Sequence, residues 1–491
     1  MSLNLISDPW IPVLRKGGSR AVIAPWQMAD ADLAFPDWPR PDLNIACLEL
    51  LIGLVFMADP PADSDDWEDR AKPDPDRLRA ALEPFAPAFN LTGEGPRFMQ
   101  DLEAFEINLK DPNPPDMLFI DSAGGQTVRN NADLLVKRGR YPSLPPALAA
   151  MALYTLQAHA PSGGAGNRTS MRGGGPMVTL VDPGGGLWPL IWANVPNGMA
   201  AGMPALPWMR PTRGSEAEGS QVWPDKAHPV EAFFGMPRRL RLVAAPEGIT
   251  GVVQKPYGTN YAGWEHPLTP HYRVKAGAEL LPRHPRAGAF GYRNWLGITI
   301  RRRSEDDTAR IATVLDLWGR RSRAPAQVIV AGWSMDNMKP RDFIWSRAPL
   351  IELPANLTEA MDGLVEGAEK LAVALRGALA PVLAEGEARE AVREAFFVQT
   401  QAAFERRLGE LAAGAGQVAE GWRSDLRSVA LKLFDDRALP GLSERDSKDQ
   451  EEIVQARRNL TAAFAGYGKL GREAFQALGL PVPEQKKGKA A

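Results

Sequence analysis

The residues with the clearest chemical potential lie in one glycine-rich segment, residues 159–176, with the sequence HAPSGGAGNRTSMRGGGP. Glycine lacks a Cβ atom, so its backbone can closely approach another backbone or a groove floor, and successive N–H groups can cradle anionic oxygens. The composition also allows a flexible surface loop. Linkers usually contain serine, however, so the two arginines in this segment argue against a simple linker. Donors suited to phosphates or base edges are present at Asn167, Arg168, Thr169, Ser170 and Arg172.

Three other segments have a similar character. Residues 254–261 (QKPYGTNY) place one cation among aromatic and turn residues, and residues 332–340 (GWSMDNMKP) are typical of a hairpin tip. Residues 117–120 (MLFI) open a polar loop that runs to about residue 140. Each segment alone is typical of an ordinary loop. Together they favour a protein that reads a minor groove, where lysine and amides sense the bases and apolar side chains split the stack.

Sequence motifs of enzymes are largely missing. Gly468-Lys469 lacks the rest of a phosphate-binding P-loop, and residues 332–336 fail the GxSxG pattern at the last position. His266 and His271 could share a metal with a carboxylate, but they lie among prolines, and we predict no metal. A nuclease or hydrolase remains an alternative, with carboxylates in an acidic, proline-bounded loop that more readily forms a solvated surface: Asp63, Asp65, Asp66 and Glu68.

Length and charge limit the class of protein. The chain has 491 residues, which favours two or three domains, and its single cysteine, Cys47, excludes internal disulfides and a cysteine-built zinc site. No long apolar run and no secretory signal are visible, so we expect a cytoplasmic protein without membrane contact. The net charge is −2, but residues 283–347 hold thirteen Lys or Arg against six acidic residues. Only part of the surface is therefore expected to face phosphates.

Two kinds of structure must position these segments. Up to residue 354 the pattern predicts short strands and helices between irregular loops, with strands at residues 10–13 and 20–23 and helices at residues 43–57 and 145–159. Beyond it, four apolar stripes with spacings of three and four predict four amphipathic helices. The sequence thus predicts an α+β protein: a large irregular mixed α/β domain (1–354), a four-helix bundle (355–480) and a disordered tail (481–491).

The order of several segments resembles a known family. The chain opens with NLISDPWIPV and continues with GPRFMQ at residues 95–100 and the glycine-rich segment. FFGMPRRLRL at residues 233–242, GWEHPLTP at residues 263–270 and the helical C-terminal part follow. In this collinear order the chain resembles the CasA large-subunit family of the type I-E CRISPR surveillance complex, Cascade. The resemblance covers nearly the whole chain.

The resemblance implies a subunit without catalysis or cofactor, which reads the protospacer-adjacent motif of double-stranded target DNA from the minor groove and starts unwinding. Its implied partners are the guide RNA, the backbone, handle-binding and small subunits of Cascade, and the CRISPR helicase–nuclease, which it helps to recruit. Transferred by position, the implied contacts are the glycine loop at Ser162, Gly163, Gly164, Ala165, Gly166 and Asn167, a lysine finger at Lys255, a wedge at Asp336, Asn337, Met338 and Lys339, and a guide-RNA handle contact at Phe119 and Ile120.

Two departures from the family pattern matter. Well-known members carry glutamine beside a small residue in the wedge, whereas this chain has Asn337, Met338 and Lys339. Some members have a cysteine cluster before the lysine segment that suggests zinc, and this chain has none, so we expect no metal there. A scaffold whose bundle and loops touch only protein remains the third alternative.

Overall fold

The computed structural model describes residues 2–102, 112–131, 133, 136–164, 166–300, 308–322, 324–351, 353 and 355–484. Helices and strands are both present, with long helices toward the C-terminus, which confirms the predicted α+β class. The chain divides into two compact units, unit 1 (Met1–Ala287 and Asp306–Leu350) and unit 2 (Gly288–Glu305 and Ile351–Ala491).

The strands of the described residues are β1 (Ile11–Arg15), β2 (Arg20–Ile23), β3 (Leu33–Pro36), β4 (Val178–Asp182), β5 (Arg239–Ala245), β6 (Gly248–Lys255), β7 (His271–Tyr272), β8 (Leu281–Pro282), β9 (Ala309–Arg310), β10 (Gln327–Asp336) and β11 (Lys339–Pro349). The helices are α1 (Pro41–Ala58), α2 (Ser64–Asp69), α3 (Pro75–Leu82), α4 (Gly125–Arg129), α5 (Pro146–His159), α6 (Leu187–Ala193), α7 (Glu231–Phe234), α8 (Thr313–Arg321), α9 (Ala355–Ala378), α10 (Glu387–Ala412), α11 (Val418–Ala438), α12 (Ser447–Ala463) and α13 (Gly468–Ala477).

Small antiparallel sheets make up the strand part of unit 1. Their strand orders are β2-β1-β3, β11-β10-β4, β8-β7-β9 and the pair β5-β6. Strands of three of these sheets contact two apolar helices, α1 and α5, whose side chains are almost all buried. Helix α1 is long and apolar enough to cross a membrane, but 83% of it is buried within the protein. Its burial identifies α1 as a core helix of unit 1.

Among its described residues, unit 2 contains the predicted C-terminal helices and one more. The stripes that predicted four helices correspond to α9, α10, α11 and α12, and the short helix α13 follows them and packs against α9. The apolar stripe of α9 is buried because Met361, Leu364, Ala368, Leu371 and Leu375 recur on one face. Of the predicted tail, residues 485–491 lie outside the described ranges.

The predicted boundary at residue 354 misses one segment of unit 2. Gly288–Glu305 belongs to unit 2 although it precedes the last part of unit 1 in the sequence. Its aromatic residues explain this placement, since the Tyr292 ring stacks on Phe404 with centroids 4.2 Å apart, and the Trp295 ring meets Phe404 at 5.9 Å. The Tyr292 hydroxyl also lies 3.0 Å from Thr400 Oγ1. These contacts bury apolar surface that the segment could not bury alone.

Candidate nucleic-acid interface

Helix α5 anchors the segments that the sequence singled out. Near its C-terminal end, the buried Gln157 side chain donates to the carbonyl of Arg238 at 2.9 Å and accepts from the N–H of the same residue at 3.0 Å. This pair of bonds fixes the beginning of β5 against α5. The glycine-rich segment starts two residues later, and Arg238 donates back to the carbonyl of Pro161. The end of α5, the glycine loop and the β5–β6 pair are thus joined at one point.

The glycine loop forms a tight turn at its exposed end. The N–H of Asn167 donates to the Gly164 carbonyl at 2.7 Å, and the Asn167 carbonyl accepts from the N–H of Gly163 at 3.2 Å. Ser162, Gly163 and Gly164 are exposed, while Asn167 is half-buried. Ala165 lies outside the described residues. The described part of the loop therefore presents backbone to solvent, as a backbone-reading contact requires.

The lysine finger lies directly beside this turn. Lys255 is half-buried at the end of β6. Its neighbour Gln254 donates through Nε2 to Asn167 Oδ1 at 2.8 Å, and the N–H of Tyr257 donates to the Gly166 carbonyl at 2.8 Å. A Cβ placed on Gly166, whose φ is +79°, would lie 2.8 Å from the Tyr257 ring, so a larger residue there would push the two segments apart. Two segments far apart in sequence are thus brought together.

The predicted wedge is the tip of the long β10–β11 hairpin. Asp336 pairs with Lys339, so Asn337 and Met338 form a two-residue turn. Both have positive φ, +48° and +62°, as the primed turns that suit hairpins require, but glycine is the usual second residue of such a turn. The Met338 side chain is 46% exposed. A left-handed conformation is energetically unfavourable for methionine, so an exposed methionine in this turn suggests that the tip contacts another molecule.

The hairpin also reaches the glycine-rich segment. Strand β4 begins opposite Ala331 of β10, so the hairpin continues past β4 alongside the end of that segment. A Cβ placed on Gly174 would lie 3.1 Å from Met338 Sδ. One placed on Gly175 would lie 2.6 Å from the Trp333 carbonyl oxygen. The structure therefore brings the glycine-rich segment into contact with both the lysine finger segment and the wedge hairpin.

Arg172, in the same segment, points inward. It is 3% exposed, and its Nη2 lies 2.6 Å from Oε2 of Glu49, a residue of α1 with no exposed surface. His159 Nε2 lies 2.7 Å from the other Glu49 oxygen. Burial alone would raise the pKa of the Glu49 carboxyl group. The neighbouring Arg172 and His159 lower it by more, so the pKa of Glu49 lies below its ordinary value. Arg172 therefore anchors the loop to the core and does not face a ligand.

Neutral histidines lie around the same arginine. Burial, with a further contribution from Arg172, lowers the pKa of His266 well below its ordinary value. Burial likewise lowers the pKa of His271, to about 4, and the pKa of His284. These three rings are uncharged near neutral pH, so they add no positive charge beneath the loop. Arg238 does, because burial lowers the pKa of its guanidinium only to about 10.

The second arginine of the segment, Arg168, also has a defined partner. Its Nε donates to Ser215 Oγ at 2.8 Å, and its Nη2 donates to the Ser215 carbonyl at 2.9 Å. The N–H of Ser215 in turn donates to the carbonyl of Tyr257 at 3.2 Å. Arg168 thus connects the glycine-rich segment to the turn that follows Lys255.

The structure corrects the role predicted for Phe119 and Ile120. Their side chains are 2% and 3% exposed. The Phe119 ring stacks on Tyr141 at 4.7 Å, and the guanidinium groups of Arg40 and Arg140 lie 5.0 and 5.2 Å from its centroid. Side chains so enclosed cannot touch RNA in this arrangement. They pack at the base of the loop that follows.

The acidic cluster of the nuclease alternative has structural partners. Asp63 caps α2 by accepting from the N–H of Asp66 at 2.9 Å. Asp66 accepts from the N–H of Ala62, which lowers the pKa of its carboxyl group, and pairs with Arg70 at 2.9 Å. Capping and pairing explain these two carboxylates without a catalytic role.

Sequence reasoning missed two residues of this region. Glu49 is an acid inside an otherwise apolar helix, and a lone buried carboxylate needs a cationic partner, so its position was a usable signal. Tyr257 lies in a segment that the sequence did single out, but nothing in the sequence indicated its positive φ of +62°.

Comparison with known proteins places this arrangement in a family. The family described as CRISPR-associated protein Cse1 matches residues 4–433. CasA (Cse1) of Thermus thermophilus is 18% identical, with a TM-score of 0.71 over 95% of this chain and 99% of that one. Cse1 of Thermobifida fusca is also 18% identical, with a TM-score of 0.71 over 97% and 98%. A chain of a CRISPR RNA-guided surveillance complex is 17% identical, with a TM-score of 0.68 over 94% and 99%.

The solved structures share the fold of this chain over nearly its full length, and the family match covers most of the sequence. The chain therefore belongs to the CRISPR-associated protein Cse1 family, the CasA large-subunit family of type I-E Cascade.

Proposed function

We propose that this chain reads the protospacer-adjacent motif of duplex DNA from the minor groove within a Cascade complex, without catalysis, and begins unwinding beside the motif. Its partners in this role are the guide RNA, the other Cascade subunits and the helicase–nuclease that it helps to recruit. The observation that carries the proposal is the contact of the glycine-rich segment with two other, separately predicted segments. Gly166 contacts Tyr257 beside Lys255, and Gly174 lies next to Met338.

Each segment supplies a different part of the proposed reading. Exposed glycine backbone allows close approach to the groove floor, and a lysine can donate to the acceptors that A·T and T·A pairs share there. Such contacts give a degenerate code, which suits a short motif when guide pairing supplies the remaining specificity. The apolar tip at Met338 can enter a base step, whose opening costs a few kcal/mol and must be offset by new contacts.

The test is a gel-shift of the assembled complex on duplexes with and without the motif. Lys255→Ala should weaken binding to the motif duplex by about 1–3 kcal/mol, equivalent to roughly 5- to 150-fold. Gly164→Asp should weaken it as well, because an acid would then face the DNA. Lys72→Ala, at an exposed lysine between α2 and α3, is the matched control and should have no effect. Equal binding of the unaltered complex to both duplexes would refute motif reading.

The wedge needs a separate measurement, because opening follows binding. Met338→Gly suits the turn, since glycine tolerates the φ of +62°, but removes the apolar tip. We expect motif binding to persist and strand opening, followed by a fluorescent base beside the motif, to slow. A DNA-cleavage assay with divalent metal covers the nuclease alternative, and cutting by the purified chain would contradict the proposal.

A further inference from the structure

Tyr257 combines an exposed ring with an unusual backbone conformation. Its side chain is 39% exposed, and its φ is +62°. A bulky L-residue is disfavoured in the left-handed region, which glycine and asparagine tolerate. A turn that only connects two segments would be more stable with one of those residues. The ring itself is therefore the feature that needs an explanation.

The surrounding structure holds this conformation from both sides. The N–H of Tyr257 donates to the Gly166 carbonyl at 2.8 Å, and its own carbonyl accepts from the N–H of Ser215 at 3.2 Å. Arg168 fixes Ser215 through two hydrogen bonds. The backbone of Tyr257 is thus fixed before any ligand arrives, which reduces the entropy lost when the ring makes a contact.

The ring lies between two parts of the proposed reading site. Tyr257 follows Lys255 by two residues, and its ring edge covers Gly166, where an added Cβ would lie 2.8 Å from Cδ1 and Cε1. Resting on the proposed DNA-reading function, we propose that Tyr257 packs the exposed part of its ring against the deoxyribose of one nucleotide of the motif duplex. Contacts to the sugar–phosphate backbone are independent of sequence and fix the register of the protein on the duplex, so this contact adds affinity and sets the position of the duplex beside Lys255.

Two substitutions separate the ring from the backbone. Tyr257→Gly removes the ring and suits the positive φ, and Tyr257→Phe keeps the ring without the hydroxyl. In the assembled complex, Tyr257→Gly should weaken binding to the motif duplex by about 5- to 30-fold, as expected for loss of the apolar area that the ring would bury. Tyr257→Phe keeps that area and should bind within about twofold of the unaltered complex. The Tm of the Tyr257→Gly chain should not fall. Tyr467→Gly, at a 50% exposed tyrosine of unit 2, is the control and should leave binding unchanged.

The remaining outcomes would contradict either the contact proposed for Tyr257 or the proposed function. Unaltered binding by Tyr257→Gly, when Lys255→Ala is impaired, would overturn the role of Tyr257 and leave motif reading intact. If neither variant is impaired, the proposed function itself fails. A lower Tm accompanying the loss of binding would make the ring a structural residue. Equal losses for Tyr257→Phe and Tyr257→Gly would assign the contact to the hydroxyl and overturn the proposed ring packing.

Discussion

Removing the cation beneath the glycine loop should destabilise unit 1 strongly. Arg172→Met keeps much of the side-chain volume but leaves the Glu49 carboxylate, which has no exposed surface, with His159 as its remaining partner in the trio. Removing one partner of a buried ion pair typically costs about 3–5 kcal/mol of unfolding free energy. Because the lost arginine also tethers the glycine-rich segment to α1, we expect motif binding to weaken along with stability.

The assay is urea unfolding combined with hydrogen exchange of peptides from α1 and α5, which reports the stability of unit 1 separately. A double variant, Glu49→Leu with Arg172→Met, removes both charges and should recover part of the loss, since buried pairs are often replaceable by apolar residues. Arg341→Met is the control, because its partner Asp336 and Arg341 itself are both more than half exposed, and such pairs contribute little. A loss below about 1 kcal/mol for Arg172→Met would refute the reasoning, since it would mean that Glu49 is readily protonated or hydrated.

Two further predictions concern acid sensitivity and the core of unit 2. In the folded chain the pKa of His271 is about 4, below its ordinary value of 6.5. Below pH 6.5 the unfolded chain therefore takes up a proton that the folded chain does not, and the free energy of unfolding falls by up to about 1.4 kcal/mol per pH unit toward pH 4. Above pH 6.5 the contribution of the neutral ring to stability is complete. Urea midpoints at pH 7 and pH 5 should therefore differ less in His271→Gln, and an unchanged difference would contradict this. Phe404→Ala removes the ring stacked on Tyr292 and should cost about 3–5 kcal/mol in unit 2 by hydrogen exchange of α10, whereas Val398→Ala, 55% exposed on the same helix, should cost little.

The regular elements were predictable because their signals are local. The helices predicted at residues 43–57 and 145–159 appear as Pro41–Ala58 and Pro146–His159, and the strand predicted at residues 20–23 appears with the same bounds. Apolar spacing and flanking prolines carry this information within a few residues. No local sequence pattern predicts that Gly288–Glu305 belongs to unit 2, because Tyr292 and Trp295 lie in a segment without apolar periodicity.

The candidate site was predictable in its parts but not in its assembly. Glycine content indicated the loop, yet its meeting with Met338 depends on the pairing of β4 with β10, which spans more than a hundred residues of sequence. The sequence indicates a donor at Arg172 but does not assign it to a base, a phosphate or a partner. Charged residues are rarely fully buried unless paired, and the sequence does not show which acid Arg172 meets. Phe119 and Ile120 are buried, as large apolar side chains usually are. Only the family resemblance predicted that they contact the guide RNA.

The early position of Gly288–Glu305 in the chain has a consequence for biosynthesis. Thr400, which contacts the Tyr292 hydroxyl, lies 108 residues later, and at typical translation speeds of 5–20 residues per second it is made roughly 5–20 s after Tyr292. During that interval the apolar rings of the segment lack their aromatic partner on α10. Nascent chains stalled before α10 should therefore bind chaperones through this segment, and expression of residues 1–350 alone should give a fragment with exposed aromatic surface.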